Sequence, residues 1–108
     1  MADRTVVEKI KQFVAAAIDA GYPVVGAVLF GSFARGDQRD WSDIDVIALM
    51  RDDVPESDLW RLGNELNLLA VKYDSRIELL TVHESRFAQD DNSQYIHLAR
   101  QEGIHIAA

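Results

Sequence analysis

The chain contains no cysteine, which excludes disulfides and thiolate metal sites. That absence fits a cytoplasmic protein. No apolar run approaches the ~20 residues of a membrane span. Basic side chains are in deficit: 11 Lys and Arg stand against 18 Asp and Glu, a formal net charge of −7. Phosphate contacts need clustered Lys and Arg, so direct nucleic-acid binding is not expected. An acidic surface can serve solubility alone, or favour a basic protein partner by speeding encounter. His83, His97 and His105 share no metal-ligand spacing and read as surface or structural residues. There is no repeat, low-complexity tract or linker. The opening Ala2-Asp3-Arg4 runs into a mixed-polarity helix rather than a secretory signal.

What is present is 108 residues with 48% apolar content, enough for one core. Residues 1–108 are therefore read as a single small domain. Val6, Val7, Ile10, Phe13, Val14, Ala17 and Ile18 repeat at helical spacing and predict an amphipathic helix near 4–19. Gly21-Tyr22-Pro23 breaks it. Val24 to Phe30 is a β-branched, apolar run ending at Gly31, which predicts a strand. A polar loop follows, with room for a helical turn after Ser32. A second strand is expected from near Ser42 to Met50. Leu59, Leu62, Leu66, Leu69 and Ala70 mark one face of a helix, and residues 76–82 form a third strand. The segment from Ser93 to Glu102 is expected to be helical, with Tyr95, Leu98 and Ala99 inward and Gly103 as its stop. Ile104-His105-Ile106 adds a short edge strand. The order α-β-β-α-β-α-β predicts an α/β (α+β) domain with a small mixed sheet flanked by helices.

Chemistry is concentrated in Gly31-Ser32, ten intervening residues, then Asp43-Ile44-Asp45. Gly31 permits a sharp turn and close approach of a ligand to the backbone. Ser32 adds a hydroxyl beside backbone N–H groups, a combination suited to phosphate oxygens. Side chains alternate along a strand, so Asp43 and Asp45 share a face with Ile47 and Leu49. Ile44, Val46 and Ala48 take the opposite, core-facing side. Two carboxylates roughly 6–7 Å apart along a strand repel each other. Mg²⁺ or Mn²⁺ relieves the repulsion, since both prefer oxygen ligands. Glu78 supplies a third carboxylate among Ile77, Leu79 and Leu80, where a charge is costly unless paired or metal-bound. It completes a cluster of three if its strand lies beside that of Asp43 and Asp45; otherwise it is an edge-strand charge facing solvent. Glu84 is a rival, but lies beyond the strand in an expected turn.

Other residues admit two readings each. Arg35 and Arg39 can contact triphosphate oxygens, since guanidinium suits phosphate. Arg35 can equally pair with a nearby carboxylate and brace the loop. Trp41 can stack on a base, although an aromatic ahead of a strand more often packs on the fold.

The wording Gly-Ser-Phe-Ala-Arg-Gly followed by Ser-Asp-Ile-Asp-Val resembles the nucleotidyltransferase superfamily that includes DNA polymerase β. It is most similar to the minimal nucleotidyltransferase (MNT) branch. That family carries G-S-x10-D-x-D and a later acidic strand residue, which fall here on Gly31, Ser32, Asp43, Asp45 and Glu78. Family members often carry Asp at the last position. The resemblance covers nearly the whole chain. It implies metal-dependent transfer of a nucleoside monophosphate, AMP from ATP as first choice, to a hydroxyl. Asp43, Asp45 and Glu78 would hold Mg²⁺ or Mn²⁺, and Gly31, Ser32 and Arg35 would position the phosphates. It also implies a small helical HEPN partner, often a ribonuclease toxin, that this chain neutralises as antitoxin by adenylylating a tyrosine. Two alternatives stay open: neutralisation by binding alone, and transfer to a small molecule such as an antibiotic. Assembly with itself or with a partner is left open as well.

Overall fold

The computed structural model describes residues 4–107. The Ala2-Asp3 opening lies outside the described residues. The amphipathic run forms α1 (Arg4–Asp19), and Val6, Ile10, Phe13, Val14 and Ala17 are its buried stripe. Strand β1 (Val24–Phe30) leads through Gly31 into a single turn, α2 (Ser32–Arg35). After a polar loop comes β2 (Ile44–Met50). A 3-10 turn over Glu56–Asp58 feeds α3 (Leu59–Ala70). Then follow β3 (Ile77–His83), α4 (Glu84–Gln89), α5 (Gln94–Glu102) and β4 (Ile104–Ala107).

The sheet order is β3-β2-β1-β4. The β1–β2 and β1–β4 pairs are antiparallel, and β2–β3 is parallel with α3 as its crossover. The mixed sheet expected from the element order is therefore present. The sheet is covered on both faces. One face, with Ile44, Val46, Ala48 and Met50, packs against α1 and α3 in the main core. On the other, Ile47, Val28 and Val82 meet Phe87 of α4 and Ile96 and Ala99 of α5 in a smaller core.

Several expectations are corrected. β2 begins at Ile44 rather than near Ser42, so Asp43 stands just ahead of the strand. Glu84 opens the short helix α4 instead of lying in a turn, with Asp52 Oδ1 accepting the Ser85 N–H at 3.0 Å. In α5 the inward pair is Ile96 and Ala99, three residues apart on one helical face, while Leu98 is 48% exposed. Ile18 is also turned outward near the end of α1.

Candidate active site

The site forms where β1 ends and β2 begins. Phe30 is level with Asp45 in the antiparallel β1–β2 pair, so the turn after Phe30 opens beside the carboxylates. Gly31 has φ 75° and ψ −154°, a backbone region that side chains all but exclude. A Cβ there would overlap Asp45 Oδ2 and lie 3.3 Å from Asp45 Cγ. Only a glycine lets the turn and Asp45 come together this closely. The first internal bonds of α2 run from the Ala34 and Arg35 N–H groups to the Gly31 carbonyl, both 3.1 Å. Ser32 and Phe33 therefore sit ahead of the first bonded N–H, with the Ser32 side chain half-buried.

Glu78 lies directly across from Asp45 in the parallel β2–β3 register. Adjacent strands are about 4.8 Å apart, so the two side chains are neighbours on one face. Asp45 thus stands beside the Gly31 turn and across from Glu78, and Asp43 is near enough to act on both. Glu78 is exposed, because β3 is an edge strand, and the burial expected from its apolar neighbours does not occur. Its proton affinity is still raised, first by the negative charge of Asp43, then by desolvation, Asp45 and a hydrogen bond with Asp43. The Asp45 carboxyl is also pushed above its usual range, first by burial and then by Asp43, with Arg35 acting against both. Asp45 and Glu78 thus both gain from protonation or a cation.

Among the described residues, no three His, Asp or Glu side chains are gathered into a metal cage. The donor chemistry fits a hard divalent cation nonetheless: the acids are all oxygen donors, and burial of Asp45 and the negative charge of Asp43 raise the proton affinity of Asp45 and Glu78.

Arg35 follows the bracing alternative. Its Nε donates to Asp37 at 3.0 Å and its Nη1 to Glu102 at 2.8 Å, tying the turn to the end of α5. Trp41 does not pack on the fold; it is 78% exposed two residues ahead of Asp43. His83 Nε2 stands 2.7 Å from the Val54 carbonyl and His105 meets the Phe87 ring edge-on, both structural roles.

Sequence reading missed Arg76. Its guanidinium donates to both Asp74 oxygens, at 2.9 and 2.7 Å, and covers the Phe33 ring 5.0 Å from its centroid. The Arg76 N–H also donates to Asp74 Oδ1 at 3.0 Å, and Lys9 Nζ adds a fourth bond to the buried Asp74 at 3.1 Å. The available signal was the Asp-x-Arg spacing at the start of β3, with a carboxylate that needs a partner if buried.

A strand–turn pair carrying two carboxylates, with a third on the parallel neighbour, defines a nucleotidyl-transferring type of fold. The family description "Nucleotidyltransferase domain" matches residues 7–99, and the chain belongs to this family. No curated protein sequence matches it significantly. Among solved structures it is similar to a chain of a toxin–antitoxin complex with AMP-PNP. That match has 24% identity, 92% of this chain against 70% of that one, and a TM-score of 0.57. A candidate nucleotidyltransferase from Sulfolobus solfataricus gives 17% identity, 92% against 77%, and a TM-score of 0.57. A chain of the Shewanella oneidensis complex of tri-AMPylated HEPN toxin with MNT antitoxin gives 19%, 91% against 68%, and 0.51. These likenesses establish the fold. No helix among the described residues is long and apolar enough to cross a membrane.

Proposed function

We propose that this chain transfers AMP from ATP to a hydroxyl of a helical HEPN toxin, a tyrosine side chain, and so acts as its antitoxin. The observation that carries the reading is Asp45 held against the Gly31 turn and directly across from Glu78. Support for the donor and acceptor comes from similar structures, one with AMP-PNP and one with an AMPylated HEPN toxin beside an MNT antitoxin.

Asp43, Asp45 and Glu78 would hold Mg²⁺ or Mn²⁺. The cation, when bound, supplies neutralisation of triphosphate charge and a Lewis acid at the reacting phosphate. Ser32 and the Gly31 turn position the β- and γ-phosphates. Arg35 can exchange its carboxylate partners for a phosphate oxygen. The acceptor oxygen bonds to the α-phosphorus as the bond to the bridging oxygen breaks, and pyrophosphate leaves. Glu78 shares the cation or takes the hydroxyl proton, and its raised proton affinity supports the second role. Most of the acceleration then comes from alignment and charge neutralisation.

The test is the intact mass of the helical partner after incubation with this chain and Mg-ATP, beside Asp43→Asn/Asp45→Asn. A gain of AMP units lost in the control upholds the reading. A second reading is neutralisation by binding alone, which draws on the carboxylates not being gathered into a cage. Under it, the double variant neutralises the toxin as well as wild type does.

A further inference from the structure

The active-site carboxylates do not end in a closed pocket. Asp45 and Glu78 form one end of an open groove of about 450 Å³ that continues around the β3 edge to Leu80, Trp60, Asn64 and Asn67. Among the described residues, no strand pairs with the outer side of β3. Trp60 is 79% and Leu80 47% exposed. Leu68, 68% exposed, extends the same outer face of α3, since residues 60, 64, 67 and 68 project together at helical spacing. Asn67 Oδ1 accepts the Leu79 N–H at 3.2 Å, so a side-chain amide already stands where a neighbouring strand's carbonyl would be.

We propose that this groove is the acceptor's docking track: a neutral-to-basic polypeptide segment of the partner lies in it against Trp60 and Leu80 and delivers its hydroxyl to Glu78 and Asp45. The inference rests on the transfer reading above and adds how the acceptor is recognised. Three features select this occupant. The groove is continuous with the carboxylates, so a segment seated on Trp60 and Leu80 already reaches the reacting end. None of the lining residues is basic and two are carboxylates, which favours a neutral or basic segment over an acidic one. A second copy would bring its own net charge of −7 and a second acidic mouth to the same place.

The test uses this chain with its helical partner in two measurements. In the first, Trp60→Ala and Leu80→Ser are assayed for transfer and, separately, for Mg-ATP binding by calorimetry. The expected result is a rise in KM for the partner of about tenfold or more, as for truncation of an anchoring side chain. ATP affinity and melting temperature should be unchanged. In the second, a benzophenone amino acid replaces Trp60, Leu80 or, as a control on the opposite sheet edge, Ala107. Cross-links to the partner from the first two positions and not the third support the docking track. Partner KM within twofold of wild type, or no cross-link from positions 60 and 80, overturns it. Cross-links to a second copy of this chain overturn it in favour of self-association. Weakened Mg-ATP binding in Trp60→Ala overturns it in favour of the nucleobase as occupant. If the partner cross-links but never gains AMP, the docking track stands and the transfer reading falls. If it gains AMP with no dependence on the groove, the reverse holds.

Discussion

Arg76 covers the Phe33 ring at 5.0 Å while its own carbonyl accepts the Ile44 N–H at 2.9 Å. Phe33 follows Ser32, and Ile44 lies between Asp43 and Asp45. One residue at the start of β3 therefore braces both halves of the motif: the turn through its side chain, the carboxylate strand through its backbone. Asp74 holds the guanidinium in place, and Lys9 links the pair to α1.

Arg76→Lys keeps a positive charge near Asp74 but loses the planar fork and the stack on Phe33. The expected cost is about 1–3 kcal/mol in urea unfolding, the range for hydrogen bonds to a buried charged group. If Arg76 positions the turn, KM for ATP also rises severalfold while the partner's KM holds; a purely structural role moves stability alone. The same pair sets an acid limit. Arg76, above all by hydrogen bonding, holds the Asp74 carboxyl far below its usual range. A depressed folded pKa contributes stability above the unfolded value, about 3.9, that is lost as pH falls below it. Asp74→Asn should flatten the stability–pH curve below about pH 4.

The Gly31 turn gives a second prediction. Gly31→Ala forces a side chain into a glycine-only backbone region, at about 1–3 kcal/mol, and into the space of Asp45 Oδ2. Either the turn or Asp45 must move. Transfer should drop by two orders of magnitude or more, because small misplacements at a reacting centre cost about 100-fold. Wild-type activity in a folded Gly31→Ala protein would show that the close approach is dispensable.

Arg35 gives a third. Its ion pair with Glu102 is half-exposed, and such pairs are weak because solvent screens them. Glu102→Gln removes one competitor for the guanidinium. ATP binding should tighten, but by no more than about fivefold, as expected of a screened pair. Arg35→Ala should weaken it. A calorimetric titration in which Glu102→Gln loosens binding would instead mean that Glu102 aims Arg35 correctly.

The helices and strands with strong periodicity were legible in the sequence, and so was the motif, because Gly31, Asp43 and Asp45 carry their geometry in local spacing. Glu78 was legible only conditionally. Its identity as neighbour of Asp45 depends on the parallel β2–β3 register, which no local pattern fixes. The apolar wording around Glu78 suggested burial, yet β3 lies at an edge, and edge position is a property of strand order. Trp41 was misread for a related reason: packing on the fold needs a surface to pack on, and the loop ahead of β2 contributes no residue to either core. Helix α4 is six residues long, too short for periodicity to announce. Arg76 was hidden because its partners, Phe33 and Lys9, are distant in sequence.

The last prediction concerns the carboxylate repulsion itself. Asp45 and Glu78 both have raised pKa values, so the folded state binds their protons more tightly than the unfolded chain does. Their charges therefore cost stability at neutral pH, and the cost is relieved as pH falls through the folded pKa values. Asp43→Asn removes the first cause of the Glu78 shift and the second cause of the Asp45 shift. In EDTA at pH 7 this variant should melt higher than wild type, and carboxyl NMR titration should find both groups moved down. A cation reverses the order. Mn²⁺ at 100 times its Kd stabilises by about 2.7 kcal/mol, roughly 10–20 °C for a domain of this size. Wild type should gain that increment and Asp43→Asn/Asp45→Asn should gain none. Acidification should abolish the gain at a higher pH than ordinary carboxylates would require, because protons compete earlier for the raised pair. If Asp43→Asn melts lower in EDTA, the acids are not held in mutual repulsion, and the physical argument for a cation at this site fails with them.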